Sequence, residues 1–169
     1  EMYPPRGAPQ SIDGYRGGNS ALFFGEGHVF HDLQATATYR HHGRWAGYTP
    51  QFSGESLPNT FKKLKARGPF TLVLFGDSIS EGYNASGFTK TAPFTPPYGQ
   101  LLTSILEAHY RKPIRFANHS LAGKNSKWGV ENIGKVAAEK PDLVLIAFGM
   151  NDASGNMPPE TFAANIRKM

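Results

Sequence analysis

Residues 74–82 read LFGDSISEG. They close the apolar run FTLVLF of residues 70–75, and the change of character at Gly76 is abrupt. A continuous apolar run of that length suits a strand buried on both faces of a parallel sheet. A glycine, a carboxylate and a serine straight after it fit two readings. One is an ordinary turn, since all three are turn residues. The other is a nucleophile, Ser78, held at the end of a strand.

Outward from that point the chain alternates. YGQLLTSILEAHY at 98–110 sets Leu101, Leu102, Ile105 and Leu106 at helical spacing. PIRFAN at 113–118 reads as a second strand, WGVENIGKVAAEK at 128–140 as a helix, and DLVLIAFG at 142–149 as a third buried strand. Upstream, PNTFKKLKARG at 58–68 predicts a short helix, begun by Pro58 and Asn59, striped by Phe61 and Leu64 and ended by Gly68. Strands alternating with helices predict parallel βαβ units with right-handed crossovers. PPETFAANIRKM at 158–169 opens a further helix, with Phe162, Ile166 and Met169 along one stripe. The sequence stops inside that stripe, and a small parallel sheet with an unpaired apolar edge is unfavourable. The expectation is a domain truncated at its C-terminus.

The first 57 residues differ in character. Residues 1–20 are rich in Gly, Pro, Ser and Arg and read as loop; ALFF at 21–24 and HVFHD at 28–32 read as short strands. LQATATYR at 33–40 alternates apolar and polar residues, as a half-buried antiparallel strand does. The resulting division is a β-rich segment over 1–57, part of a sandwich or packed on the main domain, a linker helix over 58–68, and an α/β domain over 69–169. Trp45 and Tyr48 are expected to pack on that domain, with sugar stacking as the alternative.

Composition narrows the classes. Of the 169 residues, 39% are hydrophobic and 18% charged, which is a packed globular chain. The net charge of +5 is spread without long Lys/Arg runs, and KKLKARG at 62–68 reads as a solvated helix face, so no nucleic-acid partner is expected. There is no cysteine, hence no disulfide framework or thiolate metal site. His41 and His42 have no third ligand at metal-binding spacing. No apolar stretch is long enough to span a bilayer, and no signal-peptide pattern opens the chain.

Ligands of open parallel sheets sit beyond the carboxyl ends of the strands. The segments that follow the predicted strands are Gly76–Asp77–Ser78, then Asn118–His119–Ser120 and LAGKNS with Gly123, then Gly149–Met150–Asn151–Asp152. Small hydrogen-bonding residues thus gather at one rim. They suit acyl transfer, in which Ser78 attacks an ester carbonyl. The backbone N–H groups of Ser78 and Gly123 and the amide of Asn151 could supply oxyanion donors. Asp77 reads as ordering the turn. Asp152 reads as a cap or supporting acceptor, His119 as a surface or supporting histidine, and Trp128 as either a pocket wall or a helix start.

At this point the sequence resembles the SGNH, or GDSL, hydrolases. GDSIS at 76–80 is similar to their first block with Ser78 as nucleophile, Gly123 to the glycine of the next, and GMND at 149–152 to their Gly-x-Asn-Asp block with Asn151 in the oxyanion position. The resemblance covers about residues 69–169. It implies a flavodoxin-like three-layer parallel sheet, incomplete here, and a serine esterase with neither metal nor organic cofactor. The family's Asp-x-x-His block is absent: none of Asp13, Asp32, Asp77, Asp142 and Asp152 has His three residues on. A missing C-terminal segment or companion chain is expected to carry it. The β-rich segment ahead resembles carbohydrate esterases that remove acetyl groups. That implies an acetyl ester as substrate, small or on a polysaccharide, no membrane partner, and a secreted or periplasmic location. A lipase or thioesterase of the same mechanism, or a binding module that holds acylated sugar without cutting it, are the alternatives.

Overall fold

In the computed structural model, residue 31 and residues 35–51 and 54–169 are described. Within residues 54–169 a short 3-10 helix (Gly54–Ser56) is followed by six α-helices and three strands: α1 (Pro58–Lys65), β1 (Thr71–Gly76), α2 (Ser78–Glu81), α3 (Tyr98–Tyr110), β2 (Arg115–Asn118), α4 (Ser126–Ala138), β3 (Leu143–Ala147), α5 (Met150–Ser154) and α6 (Pro159–Lys168). The strands form one parallel sheet in the order β2-β1-β3. Val73 sits opposite Ala117 on one side and Val144 on the other. This is the expected α/β architecture.

β1 is the spine. Leu72, Val73, Leu74 and Phe75 are all fully buried. Because successive side chains leave opposite faces of a strand, they feed two separate cores. Leu72 joins Leu64, Phe70 and Ile114 beneath Leu102 and Leu106 of α3. Val73 and Phe75 join Val136, Ile133 and Trp128 of α4, with Phe148 and Met169. Burying each such side chain stabilises the fold by about 1.5–3 kcal/mol. Helices on both faces make the three layers. Two glycines let them close in: a Cβ on Gly99 of α3 would lie 2.7 Å from Leu74, and one on Gly129 of α4 would lie 2.7 Å from Met169.

Several expectations are revised. β3 is half-buried along its whole length rather than buried, because β1 is its one strand neighbour among the described residues. The helix read as a linker, α1, contributes Leu64 to the core. The strand read over 33–40 is not formed in its described part: residues 35–40 have no sheet partner and are exposed. The apolar members of that alternation among the described residues, Ala35, Ala37 and Tyr39, are all exposed. Trp45 (79% exposed) and Tyr48 (81%) do not pack on the α/β domain; Trp45 Nε1 donates to the Tyr48 carbonyl instead. Of the other strands read in this segment, 21–24 lies outside the described residues, and so does 28–32 apart from His31, which is helical. Among the described residues no helix is long and apolar enough to cross a membrane.

Candidate active site

The rim at the carboxyl end of the sheet is built first by Gly76. A Cβ there would stand 2.4 Å from the Ala147 carbonyl oxygen and 2.5 Å from Ser80 Oγ. Only glycine lets β1 turn away this close to β3. Asp77 follows, buried, its N–H donating to the Ala147 carbonyl (3.4 Å). Its Oδ1 accepts from the Ile79 N–H at 3.1 Å, which caps α2. Asp77 thus orders the turn, and Ser78 becomes the first, half-buried residue of α2. The N–H of a first helical residue has no intrahelical acceptor.

The loop after β2 folds over this turn. The Leu121 N–H donates to the Gly76 carbonyl (3.1 Å), and the Ala122 N–H donates to Glu81 Oε2 (2.6 Å). Gly123 comes next, exposed, at φ 74° with open space around a would-be Cβ. The glycine therefore serves the left-handed backbone, and no other described part of the protein crowds it. Asn151 of α5 reaches the same loop: its Nδ2 donates to the Lys124 carbonyl at 2.8 Å. That uses one of its two amide hydrogens and leaves the other. Ser78, Gly123 and Asn151, from three strand ends, are thereby tied into one rim.

Asp152 holds the rim from behind. It is buried, and its carboxylate accepts from the Ser126 N–H at 3.0 and 3.1 Å and from the Ser126 hydroxyl. Asn165 of α6 donates in turn to Ser126 Oγ at 2.9 Å. The cluster fastens the start of α4 to α5 and α6. Sequence reasoning missed Ser126, Asn165 and Glu81. Asn165 had a readable signal, a polar residue on the stripe of Phe162, Ile166 and Met169. Ser126 had one too, just after a capping Asn125 whose side chain accepts from the Trp128 N–H. Glu81 had none, because its partner lies 41 residues away. Trp128 itself packs in the core, 5.5 Å from Phe75.

His119, weighed as a substitute base, is engaged elsewhere: its Nε2 pairs with Glu139 Oε1 at 2.9 Å, and no hydrogen bond joins it to Ser78. Arg115, and then His119, hold the Glu139 carboxyl below its usual range. Among the described residues no group of three His, Cys, Asp or Glu could hold a metal ion.

The sequence profile of the GDSL-like lipase/acylhydrolase family matches residues 74–169. An arylesterase of Vibrio mimicus is 30% identical over 99 residues, 58% of this chain and 46% of that protein. The crystal structure of TesA is 31% identical over 58% of this chain and 51% of its own, with a TM-score of 0.47. A two-domain esterase, CEX, active on acetylated mannans, is similar in fold at a TM-score of 0.52, with 21% identity over 64% of this chain and 27% of that one. The chain spans about half the length of the arylesterase and of TesA.

Proposed function

The chain belongs to the GDSL-like lipase/acylhydrolase family, and from that premise we propose that it is a carboxylic ester hydrolase acting through an acyl-enzyme on Ser78. Ser78 Oγ attacks the carbonyl carbon of the ester. The oxyanion that develops accepts hydrogen bonds from the N–H groups of Ser78 and Gly123 and from the free amide hydrogen of Asn151. The alcohol leaves with a proton, and water then releases the acid and regenerates Ser78. The base that takes and returns the proton is assigned to the histidine of an Asp-x-x-His block on a further segment or a companion chain. Asp77 and Asp152 support the site: Asp77 sets the turn, and Asp152 anchors the loop that presents Gly123. The acyl group in this reading is acetyl.

The observation that carries the reading is the hydrogen-bonded gathering of three strand ends at one rim, through Leu121 to Gly76 and Asn151 to Lys124. A preorganised donor set of this kind is the largest single contributor to many acyl-transfer rates. The test, on the protein together with the segment or companion chain that carries the Asp-x-x-His block, is intact mass spectrometry after a fluorophosphonate probe, alongside hydrolysis of p-nitrophenyl acetate. One adduct, lost in Ser78→Ala together with turnover, is expected. A protein that neither labels nor hydrolyses overturns the assignment and favours a binding module.

A further inference from the structure

Beside the rim lies a cleft of about 690 Å³, walled by Phe88, Phe94 and Pro97 and edged by Glu81, Lys90 and Gln100. That volume falls within the range of about 300–1,000 Å³ usual for small-molecule sites. Two observations join it to the proposed chemistry. Glu81 lines the cleft while its Oε2 holds the Ala122 N–H, one residue before Gly123. At the end of α2, a Cβ on Gly82 would lie 2.7 Å from Pro97 and 3.0 Å from Phe88, so the back wall is seated on the helix that carries Ser78.

The walls are exposed aromatics that the core does not explain. Phe94 is 63% exposed and Phe88 41%, with the Tyr83 ring 5.2 Å from Phe88. Lys90 (φ 56°) and Phe94 (φ 59°) are held in the left-handed region that residues other than glycine rarely adopt. Such strain persists only where the surroundings impose it. Here they do: the buried Ser86 accepts the Thr95 N–H at 2.8 Å, and the Gly87 N–H donates to the Thr95 carbonyl at 2.8 Å. The loop is tied so that Phe88 and Phe94 line an open cleft together with a carboxylate, an ammonium and an amide.

We propose that this cleft binds the alcohol part of the ester, and that this part is a saccharide. The inference rests on the esterase reading of Ser78. A sugar ring has an apolar C–H face that lies on an aromatic ring and hydroxyls around its edge that meet charged and amide groups. A long acyl chain would gain nothing from Lys90, Gln100 and the remaining oxygen of Glu81, and would desolvate them at a cost.

The test separates the cleft from the chemistry. Partially O-acetylated xylo-, manno- and cello-oligosaccharides are titrated calorimetrically into the Ser78→Ala protein, with and without Phe94→Ala. At least one oligosaccharide is expected to bind, and Phe94→Ala is expected to weaken it about five- to tenfold, with melting temperature unchanged because Phe94 makes up little of the core. If none binds, or Phe94→Ala binds equally well, the inference is overturned. It is also overturned if Phe94→Ala instead raises KM for p-nitrophenyl octanoate in the Ser78 protein, which would make the cleft an acyl site. Failure of the esterase reading appears separately, as absence of p-nitrophenyl acetate turnover with saccharide binding intact.

Discussion

At the scale of single residues, the division of the Asn151 amide is the most informative detail. One hydrogen is bound to the Lys124 carbonyl, so the direction of the other is set before any substrate arrives. Asn151→Ala should lower kcat for p-nitrophenyl acetate by about 10²- to 10³-fold, the usual loss for one oxyanion donor. It should also destabilise the fold modestly, by about 1 kcal/mol, because the Lys124 carbonyl loses its partner. Steady-state kinetics and thermal unfolding read the two effects independently. A fall in stability without loss of kcat would make Asn151 a loop tether only. The placement of Ser78, Gly123 and Asn151 beyond three strand ends was legible in the sequence, because each follows a predicted strand within a short polar block. Their supports were less so. Asn165 showed as a polar residue on an apolar helix stripe without its partner being named, and Glu81 acts across 41 residues, a pairing of which sequence spacing carries no sign.

At the scale of elements, the junction of α1, β1 and β3 hangs on Asp142. Its backbone carbonyl accepts from Thr60 Oγ1 at 3.1 Å, its Oδ2 accepts the Thr71 N–H at 2.9 Å, and Lys63 bonds its other carboxylate oxygen. Burial acts to raise the pKa of this carboxyl. The hydrogen bonds from Lys63 and Thr71 and the charges of Lys63 and Lys112 outweigh it and hold the carboxyl below the usual range. A pKa depressed by folding contributes stability that is complete above the ordinary Asp value of about 3.9. That contribution is lost as pH falls through the lower folded value. Asp142→Asn should therefore destabilise the protein at pH 7 and flatten the loss of stability between about pH 5 and pH 2. Melting temperatures across that range check it; parallel curves for the two proteins would count against the account. Helices were the more legible elements: α3 spans 98–110 as its apolar spacing implied, and α4 begins two residues early because Asn125 caps it. Strand character was harder to read. Residues 33–40 and β3 carry apolar patterns that say which face would be buried, and a pattern cannot say whether anything covers it.

At the scale of the whole molecule, β1 is the one described strand with a neighbour on each side, and its residues 72–75 feed both cores. Its amides should exchange with solvent most slowly, near the rate of global opening. Those of residues 35–51, exposed and without sheet partners, should exchange at almost unprotected rates; hydrogen exchange followed by mass spectrometry resolves the two groups. The α/β class was readable at this scale because a doubly covered strand must be apolar throughout. The relation of residues 35–51 to the domain was not, since no periodicity encodes it. Ser78 stands two residues beyond Gly76, the last residue of that strand. The serine proposed as nucleophile is thus mounted on the part of the protein expected to come apart last. On slow heating, fluorophosphonate labelling of Ser78 should survive up to the main melting transition and vanish with it, so a sample that has lost its edges would keep its reactive serine.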